Sequence, residues 1–317
     1  MSLTVPLVRA AALRPFLVWM RNRGQSWESR LRAVGLPATL LDEPEHPIPL
    51  VLATRFGLAA SRAEGPDIGC RVVSDASMRD LATLGSAALG ARTPRDAFRR
   101  LMRVMPHHSS HEQLVVLPEP GGVTVRHSFL LPLEDETLHV CQQYVAAIIH
   151  SVAAGTGYCG PRFANVSMTP HPDAGLAHLS EYLHVDIIPA TSKLLSISLK
   201  DALLDRPFLK PARDRTPSAG EPLDSIRGDG TLSASLKAIL PDMLGNGSPS
   251  LAALSALAAT SPRFLKLSLT ILSQGDDHFR ECFSELHVQM PILDHFEEWV
   301  TYGEETGDAR LIVLGYD

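Results

Sequence analysis

Residues 249–266 read Pro-Ser-Leu-Ala-Ala-Leu-Ser-Ala-Leu-Ala-Ala-Thr-Ser-Pro-Arg-Phe-Leu-Lys, the pattern of two short helices joined by a tight turn. In and just after this stretch, apolar residues recur every three or four positions, which places them on one buried face of each helix. Ser261 is suited to cap the second helix, and Pro262 to its first turn, where a backbone N–H would have no partner. The apolar residues of the pattern are Leu251, Leu254, Ala258, Leu265 and Leu269.

This spacing predicts a helix-turn-helix. In that motif the second helix enters the major groove of DNA and its first residues meet the base edges. Ser261, Arg263 and Lys266 are therefore the predicted DNA-binding residues. Two packed helices of an ordinary core would show the same apolar spacing, so the pattern alone leaves both interpretations open.

The stretch resembles the first helix-turn-helix of AraC/XylS-type transcription regulators, with Pro-Ser-Leu at its start and Ser-Pro-Arg after the turn. Further motifs follow the order seen in the subgroup with an arabinose-binding-type N-terminal domain. They are Gly35-Leu36 with the proline-rich run to Leu50, Asp67-Ile68-Gly69, Leu84-Gly85, and Thr93-Pro94-Arg95-Asp96-Ala97-Phe98. The resemblance implies an α+β N-terminal effector-binding and dimerisation domain, followed by a smaller all-α helix-turn-helix domain. It also implies promoter DNA, a small-molecule effector and a second copy of the chain as partners.

Length and composition agree with two such domains. The chain has 317 residues, of which 45% are hydrophobic and 20% charged, enough for one large and one small core. Residues 205–230 are rich in Pro, Ser, Gly and charged side chains, which predicts a solvated linker. We therefore expect an N-terminal domain over 1–204 and the helix-turn-helix domain over 231–317.

Periodicity predicts both helices and strands in the N-terminal domain. The expected helices are Leu13 to Arg23, Leu50 to Glu64, Thr93 to Met105 and Leu138 to Gly155, and the expected strands are Gln113 to Leu117, Gly122 to Leu130 and Phe163 to Met168. In the last helix, Val145, Ile148, Ile149 and Val152 form an apolar stripe. That stripe is suited either to the core or to a dimer contact.

The charge distribution opposes DNA binding. Residues 232–317 carry five Lys or Arg and twelve Asp or Glu, a formal charge of −7, whereas DNA-binding domains are normally basic. Leu267 and Ser268 stand where the family usually has basic residues, and Pro291 would break the helix that links its two helix-turn-helix units. Leu314-Gly315-Tyr316-Asp317 resembles the turn of the second unit, which would then be incomplete. The alternative function is a DNA-binding-deficient remnant that senses the effector or pairs with an intact relative.

A row of arginines is the predicted effector site. Thr93 is suited to cap a helix on which Arg95, Arg99 and Arg103 recur every four residues, so that three guanidinium groups share one face. Such groups match carboxylates and phosphates, which predicts an anionic effector. The alternative is a solvated face opposite a buried one. That buried face would consist of Ala97, Phe98, Leu101 and Met105.

No metal, cofactor or catalytic site is predicted. His107, His108, His111 and Glu112 form the densest group of metal-capable residues, but Pro106 argues against a helix that would place His107 and His111 on one face. No nucleophile is coupled to a base by a recognisable motif, so the chain is not expected to be an enzyme.

Cysteine usage and hydropathy predict a cytoplasmic protein. Cys70, Cys141, Cys159 and Cys282 lie far apart, which suits a reducing compartment. The sequence has no apolar run of 18 residues and no recognisable signal peptide, so no membrane partner is expected.

Overall fold

The computed structural model describes residues 4–209, 225–226, 231–244, 250–258, 260–263, 265–266 and 269. The helices of this part of the chain are α1 (Arg14–Asn22), α2 (Trp27–Ala33), α3 (Leu50–Glu64), α4 (Ile68–Arg71), α5 (Ala82–Leu89), α6 (Pro94–His108), α7 (Asp135–Val152), α8 (Ser180–Leu183), α9 (Asp201–Leu204), α10 (Leu232–Leu244) and α11 (Leu251–Leu257). The strands are β1 (Leu7–Arg9), β2 (Pro47–Pro49), β3 (Glu112–Glu119), β4 (Gly122–Phe129), β5 (Asn165–Met168), β6 (Ile187–Pro189) and β7 (Leu195–Lys200).

The strands form two sheets. β1 and β2 pair antiparallel, and the larger sheet has five strands in the order β3-β4-β7-β5-β6. Its neighbours pair antiparallel except for β5 and β6, which are parallel. Helices and strands are therefore mixed in the N-terminal region, as the α+β prediction requires.

Two hydrophobic cores hold the fold together. The first core gathers apolar side chains of α1, α2, α3 and the small sheet, with Leu17, Leu31, Ile48 and Phe56 almost fully buried. The second core lies between the large sheet and helices α5, α6 and α7, and includes Phe98, Val125 and Ile197. Because α7 contributes Val140 to the first core and Ile149 to the second, it connects the two.

Several predicted elements are confirmed. The helix predicted from Leu50 to Glu64 has those bounds, and α1 and α7 match their predicted stretches to within a few residues. The Thr93 side chain accepts a hydrogen bond from the Asp96 N–H and so caps α6 as predicted. The apolar stripe of α7 packs inwards, with Ile148, Ile149 and Val152 in the second core.

The predicted end of α6 at Met105 is wrong. The helix continues through Pro106 to His108, and the Ser109 N–H donates to the Met105 carbonyl at 2.9 Å. A proline removes one helix hydrogen bond and bends the helix that continues after it. Pro106 lies in the last turn of α6, so almost no helix follows that would have to bend. As α6 ends at His108, His107 lies on the helix and His111 beyond it, so the two do not share a helix face.

The C-terminal helices α10 and α11 pack onto the first core. Leu236, Ile239, Leu254 and Leu257 are buried there, and the predicted inward residues Ala258 and Leu265 are buried with them. Two polar contacts add to this packing: the Val5 N–H donates to Ser235 Oγ at 2.9 Å, and His46 Nε2 lies 2.5 Å from Asp242 Oδ2. Leu251 and Leu269, the other two residues of the pattern, are partly buried against the same core.

The division into domains stays a prediction. The first residues of the predicted linker are attached to the N-terminal region, since the Phe208 N–H donates to the Arg92 carbonyl and the Leu209 N–H to the Gly155 carbonyl. Leu267, Ser268, Pro291 and the predicted second helix-turn-helix lie outside the described residues. Among the described helices, length and hydropathy together give no candidate for a membrane span.

Candidate ligand-binding site

A cavity of about 120 Å³ lies where the two cores meet. Its wall is apolar except for a few side chains at the large sheet and on the neighbouring helices. The residues that line it are Val8, Ala12, Leu13, Phe16, Leu50, Ala53, Thr54, Gly57, Leu81, Leu84, Leu101, Met105, His108, Glu112, Leu114, His127, Phe129, Val140, Cys141, Tyr144, Val145, Ile148 and Ile149. A concave, mostly apolar space with a few polar groups is the usual character of a small-molecule site.

The polar wall follows from the register of the β3–β4 hairpin. Side chains alternate between the faces of a strand, so Glu112 and Leu114 share the inner face of β3. Leu114 lies opposite His127, and Glu112 lies opposite Phe129. Glu112 and His127 are therefore diagonal neighbours on one face, close enough to interact. His127 Nε2 donates to Glu112 Oε2 at 2.9 Å, with side chains 1% and 11% exposed.

Glu112 is held in its ionised form. Burial opposes ionisation, but the hydrogen bond from His127 outweighs it, so the pKa of Glu112 lies below its usual value. Burial also disfavours the charged form of His108, and for an imidazole this lowers the pKa. The cavity therefore carries an ionised carboxylate beside a neutral imidazole of His108.

Two other polar side chains of the wall are neutral. Burial raises the pKa of the Cys141 thiol and of the Tyr144 phenol, and the charge of Glu112 adds to both shifts. Cys141 is therefore a protonated thiol with little nucleophilic character. The Tyr144 hydroxyl donates to the Ala12 carbonyl at 2.9 Å.

The predicted effector residues lie elsewhere on α6. Arg95 Nε donates to Asp205 Oδ1 at 2.6 Å and a second Arg95 nitrogen donates to Asp201, so two carboxylates offset its charge. These hydrogen bonds raise the pKa of Arg95, that from Asp205 most. Arg99 and Arg103 are exposed, and none of the three lines the cavity. Binding of an effector to this row stays a prediction.

The predicted DNA-binding residues lie at the start of the segment after α11. Ser261 and Arg263 are exposed, whereas Lys266 is half-buried. The Leu265 N–H donates to the Ser261 carbonyl at 3.0 Å, as in a first helical turn. Their contact with DNA stays a prediction as well.

The histidines after Pro106 do not converge on one point. The His107 carbonyl accepts from Arg9 Nε, His111 Nδ1 lies 2.8 Å from Ser110 Oγ, and His108 lines the cavity. Within the described ranges, no group of three or more His, Cys, Asp or Glu side chains is arranged to hold a metal ion.

A second histidine cluster consists of His139, His171 and His178. His139 Nδ1 donates to the Thr169 carbonyl at 2.9 Å, which leaves its Nε2 to accept from His178 Nε2 at 3.2 Å. His171 Nδ1 accepts from two backbone N–H groups, so its proton lies on Nε2 and that nitrogen has no lone pair for a metal. Burial lowers the pKa of His139 to about 4. This cluster is therefore a hydrogen-bonded part of the packing.

A second, open cleft of about 320 Å³ is lined largely by charged side chains, among them Arg14, Arg21 and Arg79 with Asp42 and Asp80. Both signs of charge meet there, and an open site leaves them hydrated. The cavity between the cores is therefore the better candidate for specific recognition of a small molecule.

Sequence reasoning did not single out His127, and it considered Glu112 only as a metal-capable residue, not as part of a cavity wall. The alternation along the strands contains a signal for both residues. Glu112 and His127 belong to the inward-facing positions of β3 and β4, and the other such positions hold apolar residues, namely Leu114, Val116 and Val125. A charged residue at an inward strand position needs a buried partner. The register that supplies this partner is set only when the strands pair.

Comparison with known proteins gives one family. Residues 24–208 match the family model described as the arabinose-binding domain of AraC transcription regulators, N-terminal, which is more than half of the chain. No curated protein matches the chain. Among solved structures, it is similar to the crystal structure of the transcriptional regulator CdpR from Pseudomonas aeruginosa. The identity is 15% and the TM-score 0.46, over 89% of this chain and 86% of that chain.

Proposed function

The chain belongs to the AraC-type transcription regulators that carry an arabinose-binding N-terminal domain, and we propose that it is an effector-responsive regulator that works in the cytoplasm. In this proposal a small molecule binds inside the N-terminal region, and promoter DNA binds to the helix-turn-helix that begins with α11. Ser261, Arg263 and Lys266 are the proposed DNA-contacting residues.

One observation carries the proposal. The family match spans 24–208, and this range contains nearly all of the cavity wall, including α3, α6, α7, β3 and β4. The cavity is apolar and contains an ionised, hydrogen-bonded carboxylate. An internal cavity of this kind supports effector binding within the segment that the family uses for that purpose.

The packing also supports communication between the cavity and the proposed DNA-binding helices. Leu50 and Ala53 of α3 line the cavity, and α3 packs against α11. On the other side of the first core, β2 packs against α10. A ligand that shifts α3 would therefore also move α10 and α11, the helices that precede Arg263. Such a ligand makes different contacts with the shifted and the unshifted arrangement, and so favours one of them.

A homodimer is part of the proposal, since regulators that bind repeated half-sites commonly act in pairs. The α7 stripe is not available for this contact because Ile148, Ile149 and Val152 are buried in the second core. The dimer surface would therefore involve other residues.

The test is a fluorescence anisotropy titration of the full chain on the DNA upstream of its own gene, at several salt concentrations. We expect specific binding that the Arg263→Ala/Lys266→Ala variant loses, with a steep dependence of the logarithm of affinity on the logarithm of salt. Lys237→Ala is the matched control, because Lys237 is an exposed cation on α10 outside the motif. Equal losses in the control and the double variant would contradict recognition by Arg263 and Lys266.

The acidic C-terminal part favours a second candidate, a DNA-binding-deficient remnant that senses the effector or pairs with an intact relative. Its formal charge of −7 over 232–317 repels the phosphate backbone. If the folded chain binds no DNA at any salt concentration, this second candidate replaces the first.

A further inference from the structure

We propose that the cavity binds a small, largely apolar molecule whose polar head donates hydrogen bonds, that is, a hydroxyl or amino group, and that Glu112, positioned by His127, recognises this head. The inference rests on the proposed function and deepens it, because it names the chemical class of the effector.

The first argument is the use of hydrogen-bond donors in the cavity wall. The His127 Nε2–H is committed to Glu112, the Tyr144 hydroxyl donates to the Ala12 carbonyl, and the Thr54 hydroxyl donates to the Val51 carbonyl. The Tyr144 and Thr54 oxygens keep lone pairs after their protons are used. Together with the Glu112 carboxylate they offer acceptors in the wall, and a ligand that brings its own donors satisfies them.

His127 itself has an unsatisfied ring nitrogen. Its side chain is 1% exposed, and its Nδ1 has no hydrogen-bond partner among the described residues. A buried polar atom without a partner is costly, so a ligand polar group that forms a hydrogen bond with this atom would be favoured.

The second argument is charge. Glu112 is ionised, and His127 and Ser109 use only part of its capacity to accept hydrogen bonds. A carboxylate ligand would place a second negative charge beside Glu112 in an apolar surrounding, where such charges repel strongly. An ammonium group would be attracted, and a hydroxyl would donate without a charge penalty. The cavity therefore selects against the anionic effector that the arginine row of α6 would favour.

The third argument is size. An apolar cavity of roughly 150 Å³ holds a benzene molecule, whereas drug-sized ligands need several hundred Å³. With about 120 Å³, this cavity is close to the size of a single small ring or a short alkyl chain, and it excludes drug-sized ligands. Apolar side chains of both cores, such as Phe16 and Ile149, would enclose the body of the ligand.

The experiment uses four probes of nearly the same shape: benzylamine, benzyl alcohol, toluene and benzoate. Their binding to the full chain is measured by calorimetry at pH 7, where benzylamine is protonated. We expect benzylamine and benzyl alcohol to bind more tightly than toluene, and benzoate to bind at least about tenfold more weakly than benzylamine, because like charges are juxtaposed. The order of amine and alcohol then identifies which donor head the site prefers.

Variants locate the binding. Glu112→Gln should reduce the benzylamine-to-benzoate affinity ratio by about tenfold, because the carboxylate charge is removed. Glu119→Gln is the matched control: it makes the same change at the exposed end of β3, outside the cavity, and should leave the ratio unaltered. If Glu112→Gln does not fold, Ala53→Leu, which fills the cavity with an apolar side chain, should abolish binding of all ring probes.

Binding of benzoate as tightly as benzylamine would overturn the inference, and so would the absence of binding by any probe at millimolar concentration. Retention of benzylamine binding by Ala53→Leu would overturn it as well. The DNA titration is run separately on the same preparations. Specific DNA binding without probe binding would refute this inference alone, whereas probe binding without DNA binding would refute the proposed regulator and leave the ligand site in place.

Discussion

The two faces of helix α6 lie in different environments. Its inner face, with Leu101, Met105 and His108, lines the cavity. Its outer face carries Arg95, Arg99 and Arg103, which are neutralised by aspartates or exposed to solvent. At about 100° per residue, the two sets lie on nearly opposite sides of the helix.

The difference teaches where specific recognition can arise. On the outer face, water screens each charge, so an ion pair contributes little and an anion gains little. On the inner face, a single carboxylate is buried with its partner and its interactions are strong. A regular row of charges is easy to see in a sequence, but the buried pair has more influence on what the protein binds.

The largest expected contrast is in stability. Phe98→Ala should lower the free energy of unfolding by about 3–5 kcal/mol, because Phe98 is 1% exposed in the second core. Arg99→Ala, at the next residue on the outer face, should change it by less than about 0.5 kcal/mol. Urea unfolding of both variants measures the two values. Similar losses in the two variants would show that the outer face is also packed.

A smaller contrast concerns pH. The pKa of His108 is lowered in the folded protein, so its contribution to stability is complete above its unfolded value near 6.5 and is lost as the pH falls towards the folded value. The slope from one such group is at most about 1.4 kcal/mol per pH unit. His139 and His150, each with a pKa lowered to about 4, add to the loss over the same range.

His108→Gln separates the share of His108 from that of His139, His150 and His178, whose pKa values are also lowered. We expect the variant to lose less stability than the parent chain between pH 7 and pH 5 in urea unfolding. The arginines of the outer face stay protonated throughout and add no such dependence. An identical pH dependence in the variant and the parent chain would mean that His108 is not kept neutral by the fold.

The smallest expected effect is that of the Arg95 ion pairs. Arg95 contacts Asp201 and Asp205, whose side chains are 48% and 59% exposed. Arg95→Ala should therefore cost only about 0.2–1 kcal/mol, and less at high salt. Urea unfolding at low and high salt measures this effect.

The effector prediction for the arginine row is tested with Arg95→Ala/Arg99→Ala/Arg103→Ala. If an anionic effector binds the row, this variant loses binding of benzoate and inorganic phosphate, measured by calorimetry. If the cavity is the effector site, the variant retains benzylamine binding. Loss of benzylamine binding in a folded triple variant would shift the site from the inner to the outer face of α6.

Local structure was largely predictable from the sequence. The bounds of α3, the Thr93 cap and the β3–β4 hairpin depend on residues that are close together in the sequence. Local sequence patterns therefore predict them. The continuation of α6 past Pro106 was not predictable in this way, because a proline stops a helix only on average. The order and spacing of several weak motifs identified the family correctly, and the family model matches residues 24–208.

The candidate site was not predictable from local patterns. Its wall is formed by side chains of α3, α6, α7, β3 and β4, which meet only when both cores are packed. The packing of α10 and α11 on the first core was missed for the same reason. Their apolar spacing indicates a buried face, but it does not indicate the surface that covers it.

The first core, shared by α3, β2, α10 and α11, limits how this protein can exchange parts with its relatives. A chimera that joined residues 4–209 to the DNA-binding helices of another regulator would lose Leu236, Ile239 and Leu254 from that core. It would also lose the contacts of Ser235 with Val5 and of Asp242 with His46. Recombination at the linker therefore preserves both halves only when the partner supplies a matching apolar face, so the sensor and its C-terminal helices should be inherited together.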